Sequence, residues 1–378
     1  MKKKYADFKT NSDNSKNSKK IHKKFNYGLA ILKVILAFLV LVWHNFDYKS
    51  SKNKTIIFIT KNRKHHVPSF FIMSFYFMAP HLFSLNFKIF INRLFRLYIP
   101  YIIWPIIFYK LNGYLNRHYH KNFPDSNEEL KMQLLTGKRF DFPLWFQCDL
   151  INLTILFFVI IFIFRKLSVY IFEIIIILVY AVEYSGYKYT NILKKYLWND
   201  AWRITFLFNS IPHTISGLLL GFHKMLDIIQ KHKIRTFILS FLIYNIIADY
   251  NIFRNIKGSM YPGLNLNIQS ICLVFIFSIF PSHYITNKYI QKLINIITSY
   301  TAGIFYIHVP IHKYLKDYSY NMKKGTSVST FIVVLVGTTY VVYRIVDYAF
   351  NYEKAGEFTS SENEKNQIKD NLDGNHIY

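Results

Sequence analysis

Several signals that usually point to a mechanism are missing from this chain. The 378 residues include only two cysteines, Cys148 and Cys272, far apart and each inside an apolar block, so they say nothing about redox compartment. No His, Cys, Asp and Glu spacing suits a metal, and no glycine-rich loop suits a nucleotide phosphate. Glycine is sparse, with 13 residues in all. Acidic residues are few, 21 against 47 Lys and Arg, which leaves a net charge of +26. That charge does not imply a nucleic-acid partner, because no binding motif accompanies it and the basic residues fall mostly between apolar blocks.

What the chain does have is apolar mass. It is 52% hydrophobic and 19% aromatic, unusual for a soluble domain. The apolar residues gather in blocks of about 16 to 22, long enough to cross a bilayer core. The expected fold is therefore all-α, a polytopic transmembrane helical bundle of about ten spans. Their approximate limits are 26–44, 67–87, 97–112, 144–164, 168–184, 204–222, 235–252, 264–281, 293–312 and 328–350. Residues 1–25, with nine lysines against two aspartates, read as a disordered basic cytoplasmic tail. Residues 26–350 read as one membrane domain, and 351–378 as a polar disordered tail. The first block has no small-residue cleavage site after it, so it reads as a retained helix. The loop 113–143 is long enough to hold a short interfacial or re-entrant element. Lys and Arg balance on the two sides, and the basic N-terminal tail then sets the orientation, with both termini cytoplasmic.

The polar residues inside the blocks suggest a site. "KVILAFLVLVWHN" places Lys33 and His44 eleven residues apart, so both project from one face of a helix, about 16 Å apart along its axis. Each has a bland reading, an interface anchor for Lys33 and a wetted helix end for His44. Asp47 follows close enough to reach the His44 ring. Odd-numbered spans run in one direction, which puts His44 and His308 on the same membrane side. "PLWFQCDL" (143–150) begins its span on that side too and brings Trp145 and Asp149. An intramembrane carboxylate is a functional candidate by default. On the opposite side "FKIFINRLFRLYIP" (87–100) carries Lys88, Arg93 and Arg96. Arg93 and Arg96 share a helix face and suit phosphate, although ordinary positive-inside charge explains them equally well.

The order of these motifs resembles the acyltransferase-3 family of integral membrane acyltransferases. The run is a basic residue, ten residues and His; then "VPSFFIMSFYF"; then "NRLFRLYIPYIIW"; then "PLWFQCDL"; then "SGLLLGF" (216–222); then "GIFYIHVPI" (303–311). Members O-acylate, mostly O-acetylate, cell-surface carbohydrates. Lys33 stands where the family pattern has arginine. Ser74 is followed by Phe75 where glycine is common. Gln147 and Cys148 replace a Leu-Arg pair.

The resemblance implies acetyl-CoA as acyl donor, no metal, and a carbohydrate or lipid-linked glycan as acceptor. It also implies a multi-pass plasma-membrane location. His44, Lys33, Asp149 and His308 become the candidate catalytic residues. Arg93, Arg96 and Lys33 become candidates for holding the donor, and Trp145 and Asp47 for meeting the acceptor. His44 acts either as general base on the sugar hydroxyl or as acyl carrier. The rival class is a transporter or flippase of a polysaccharide precursor, since intramembrane Lys, Asp and His also serve proton relays. Against it stand the absence of an internal repeat and the few Gly- or Pro-broken spans. A degenerate, non-catalytic family member is the third reading, raised by the Lys33 and Cys148 departures.

Overall fold

A computed structural model describes residues 26–45, 65–114, 126–136, 144–184, 201–250, 263–280, 285, 287–298, 301, 337 and 340. These residues contain helices and no strand. In chain order the helices are α1 (Tyr27–Asn45), α2 (His66–Phe83), α3 (Phe87–Tyr114), α4 (Asn127–Thr136) and α5 (Leu144–Phe164). They continue with α6 (Leu167–Tyr184), α7 (Ala201–Phe222), α8 (Met225–Lys231), α9 (Lys233–Tyr250) and α10 (Gly263–Ser278). Residues 288–298 are helical as well. Contacts gather Met1–Thr301 into one unit, to which all of these helices belong; of the second, Ala302–Tyr378, only Gly337 and Tyr340 fall among the described residues.

Local chemistry sets the helix ends. Asn26 Oδ1 accepts the Leu29 N–H at 3.1 Å, and Asn86 Oδ1 accepts the Ile89 N–H at 3.1 Å, each satisfying a donor that the first turn leaves open. Asn287 does the same for Tyr289 and Ile290. The chain reverses after α2, α5 and α7 through Leu85, Arg165 and Lys224, all left-handed with φ of 53°, 51° and 51°. Glycine usually takes this position, and a side chain there costs roughly 1–2 kcal/mol. Backbone bonds secure the first reversal, with the Asn86 N–H reaching back to His81 O at 3.0 Å.

Helix directions follow from named contacts. A Cβ on Gly217 would strike Ile72 O, and one on Gly221 would sit 2.5 Å from Tyr76 O. The two pairs keep the same offset, so α2 and α7 run parallel in near-backbone contact, the close approach that a Gly-xxx-Gly pattern permits. Phe71 meets Phe146 (4.6 Å) and Phe75 meets Phe157 (5.4 Å), so α5 runs the same way. Asn26 Nδ2 donates to Ser278 O at 3.0 Å, joining the start of α1 to the finish of α10. Tyr244, late in α9, pairs with His65, just before α2. Every described long helix of the bundle thus has one end among the tight reversals and the other among long connections. We call these the turn end and the loop end. The core between them joins Leu32 and Leu36 of α1, Ile72 and Met73 of α2, Leu226 and Ile229 of α8, and Val274 of α10.

Helices stand at the first eight of the ten expected blocks, while most of 293–312 and of 328–350 lies outside the described residues, so a bundle of ten spans is not established. Among the described residues one helix, Trp145–Phe164, is long and apolar enough to cross a membrane by length and composition, with a mean hydropathy of 2.3. Tyr27–Val40, Leu167–Ala181 and Leu264–Ser278 are shorter apolar stretches of α1, α6 and α10. The others are diluted by polar groups: α3 carries Lys88, Arg93 and Arg96, and α7 carries Ser210, His213, Thr214 and Ser216. The arginines also lie within α3 rather than ahead of it, because the helix starts at Phe87 and runs through Pro100 and Pro105. The loop 113–143 does hold a short helix, α4. Tyr101 donates to Leu134 O (2.8 Å) and Tyr109 to Asn127 (2.9 Å), tying it to α3.

Candidate active site

The polar side chains of the bundle interior collect toward its loop end. Asp149 lies in the second turn of α5, buried, and accepts the Ser210 hydroxyl of α7 at 2.9 Å. One turn along α7, His213 is 1% exposed and its Nδ1 meets Asn267 Oδ1 of α10 at 2.8 Å. Asn267 Nδ2 donates to Ser216 Oγ (2.8 Å) and to the Tyr180 hydroxyl of α6. His65 and His66 are buried at the start of α2, with His65 Nε2 3.3 Å from the Tyr244 hydroxyl. Trp145 lies in the first turn of α5, half-buried, edge-on to Phe146 at 6.2 Å.

Lys33 is half-buried on α1, and its Nζ donates to Thr298 O at 3.3 Å. It is therefore engaged with a neighbouring helix and not extended freely to a surface. The same carbonyl accepts the Thr301 hydroxyl at 2.7 Å. His44 lies on α1, but its side chain is outside the described residues, as are Asp47 and His308.

The arginine pair is split. Arg93 turns inward: Nη2 donates to Ser74 Oγ at 2.6 Å, and the guanidinium lies 5.8 Å from the Phe75 ring centre. Its Nε is buried without a hydrogen-bond partner. Arg96, three residues on, is exposed. Ser74-Phe75, which departs from the glycine-bearing pattern, thus supplies both contacts of Arg93. The other departure also has a structural meaning. Gln147 Nε2 donates to Leu97 O at 2.7 Å, tying α5 to α3. Cys148 packs with Tyr101 and Ile151, so the position that could have held a guanidinium is core.

No group of three His, Cys, Asp or Glu among the described residues is placed to hold a metal ion. The family model described as an acyltransferase domain, acyltransferase-3, matches residues 26–346. The chain belongs to the acyltransferase-3 family. It is an acyltransferase of a membrane-associated family, as the motif order anticipated. Neither a curated protein nor a solved structure matches it.

Within this acyltransferase, sequence reading singled out Asp149 and Trp145 at the loop end but passed over His213, Asn267, Ser216 and Tyr180. A signal for them existed. "NSIPHTISG" (209–217) puts an imidazole in the middle of an apolar helix, and an ionisable group at that depth is a candidate in its own right.

Proposed function

We propose that the protein is an integral membrane O-acyltransferase moving an acetyl group from acetyl-CoA to a hydroxyl of a cell-surface or lipid-linked carbohydrate. It does so in the plasma membrane, with both termini cytoplasmic. The observation carrying the membrane part of this reading is the exposure of large apolar side chains on several helices while polar groups are buried among them. Ile103 and Ile106 of α3, Phe162 of α5, Ile177 of α6 and Phe241 of α9 are exposed. Asp149, His213, Ser216 and Asn267 are buried. Large apolar side chains exposed on four helices, with polar groups held in the interior beside the apolar core, suit lipid and not water. This distribution also supports a multi-span bundle in which helices such as α3 and α7 carry polar residues within their length.

The donor's requirements fit the turn-end half of α3. Lys88 and Arg96 are exposed there, and Arg93 keeps a buried N–H without a partner. These residues would hold the phosphates of acetyl-CoA by charge-assisted hydrogen bonds. The donor supplies an acyl carbonyl activated by a thiolate leaving group. Lys33 places a cation along the α1 face that leads toward His44. His44 takes the proton of the sugar hydroxyl, or carries the acyl group onward. Asp149 or Asp47 orients the imidazole, as carboxylates do in other acyl-transfer sites. Trp145 offers an apolar face to the sugar, and span parity assigns His308 to the same membrane side as a second imidazole.

The test is incubation of membranes with radiolabelled acetyl-CoA, followed by extraction of glycans and lipid-linked sugars. Base-labile label should enter the glycan with the native chain and vanish with His44→Ala at equal protein level. Label that survives in His44→Ala removes His44 from the chemistry. No ester from the native chain returns the transporter reading.

A further inference from the structure

The buried junction around His213 has a direction built into its hydrogen bonds. The Asn267 amide nitrogen donates twice, to Ser216 Oγ and to the Tyr180 hydroxyl. Its Oδ1 is therefore the acceptor side, and the bond to His213 requires the proton on Nδ1. The Ser216 hydroxyl hydrogen is committed as well, to Pro212 O at 2.8 Å. Side chains from three helices thus fix one tautomer of one ring. That tautomer leaves the Nε2 lone pair as an acceptor. Nε2 is buried and has no hydrogen-bond partner.

Two hydroxyls on the adjoining helices α2 and α10 are in the same condition. Ser69 of α2 and Ser270 of α10 are each 0% exposed, and each Oγ lacks a partner. The Ile72–Gly217 and Tyr76–Gly221 contacts set the register between α2 and α7, and that register brings Ser69 level with Thr214, next to His213. Ser270 lies one turn beyond Asn267 on the same helix, and α2, α7 and α10 all pack on one another. An imidazole acceptor and two hydroxyls that can donate or accept thus occupy about one turn of three adjoining helices. Burying such groups unmatched is unfavourable. Each is matched by an uncharged ligand carrying several hydroxyls, and none of the three demands a charge.

We propose that His213, Ser69 and Ser270 form a hydroxyl-recognition site for the carbohydrate acceptor, with His213 Nε2 accepting a hydrogen bond from a sugar hydroxyl. The proposal rests on the acyltransferase reading above and adds the residues that select the acceptor. It separates acceptor recognition at the α2–α7–α10 junction from donor binding on α3.

The experiment uses membranes containing the full chain, acetyl-CoA, and cell-surface glycan stripped of its esters by mild alkali. Initial rates are measured against glycan at fixed donor, then against donor at fixed glycan. His213→Phe should raise the KM for glycan by about tenfold or more, the scale of a lost buried hydrogen bond, and leave the KM for acetyl-CoA within about twofold. Ser69→Ala and Ser270→Ala should each shift the glycan KM in the same direction. An unchanged glycan KM in His213→Phe overturns the proposal and leaves an internal water as the partner of Nε2. Equal loss toward both substrates also overturns it, because a general packing defect would act so. If His213→Phe does not accumulate, His213→Leu and the two serine variants give the same reading. A native chain that transfers no label fails at the acyltransferase step, which separates that failure from this one.

Discussion

Gly221 is the position at which the packing can be tested most directly. An ideal Cβ there would lie 2.5 Å from Tyr76 O and 2.6 Å from the Ala79 Cβ. Ordinary contact for such atoms needs about 3.5 Å, so Gly221→Ala forces α2 and α7 apart by about 1 Å. Neither obstacle is the far end of a flexible side chain. One is backbone, and the other is a Cβ fixed to it. Overpacking of this kind costs roughly 1–3 kcal/mol. Alanine gains about 1 kcal/mol over glycine in helix propensity, which offsets part of that. Gly337 provides the control, since it is helical and exposed, and a Cβ added there would meet nothing within 4 Å. In detergent, Gly221→Ala should lower the thermal midpoint by several degrees, on the scale of about 2–4 °C per kcal/mol. Gly337→Ala should leave it unchanged or raise it. Acyl transfer should fall in Gly221→Ala below its melting point, because the same contact keeps Ser69 level with His213. A midpoint that rises equally in both variants would refute the close approach of α2 and α7.

The remaining predictions concern the site and its sidedness. Lys33→Arg should preserve or raise transfer, and Lys33→Leu should abolish it; activity in the leucine variant would reduce Lys33 to an anchor on Thr298. Ser210→Ala removes one donor from buried Asp149 and should cost about 1–3 kcal/mol of stability with a fall in glycan labelling, measured together on purified protein. Single cysteines at Asn45 and Lys166, in a background lacking Cys148 and Cys272, should react oppositely with an impermeant thiol reagent on intact cells. Asn45→Cys should label and Lys166→Cys should not, and the reverse would place the donor-binding face outside.

Much of the helix framework was legible because apolar block length and polar punctuation are strong signals. α5 and α6 match the blocks 144–164 and 168–184 nearly residue for residue. α3 was less legible. Its first three turns carry lysine and arginine and read as loop, yet Asn86 caps them and Arg93 finds Ser74 on α2. A pairing between distant residues leaves no mark in a local hydropathy pattern. Direction was legible where parity alone decides it, and so Asp149 and Trp145 fall at one end, as expected from the start point of their helix. The polar junction was missed for the opposite reason. The one local signal was His213 inside an apolar helix, and the partners that give it, Ser210 and Ser216 a role, namely Asp149, Asn267 and Tyr180, arrive from other helices.

The two ends of the bundle differ in a way that bears on catalysis. At the turn end three reversals are short and left-handed, and side chains lock neighbouring helix ends together, as Asn26 before α1 and Gln230 late in α8 do on Ser278 O of α10. That end is built to hold helix spacing. At the loop end the long connections begin, and there the interior holds a carboxylate, three buried histidines and the α7 hydroxyls. Rigid spacing at one end keeps the polar side chains at the other in fixed register, which a transfer site requires because reacting groups must be held to within a fraction of an ångström. The Gly217–Ile72 and Gly221–Tyr76 contacts lie between the two ends. They couple the spacing of the turn end to the alignment of Ser69, Ser210 and His213. Substitutions at the glycines should therefore disturb the proposed acceptor recognition before the proposed donor binding on α3, where Arg93 is held separately by Ser74 and Phe75.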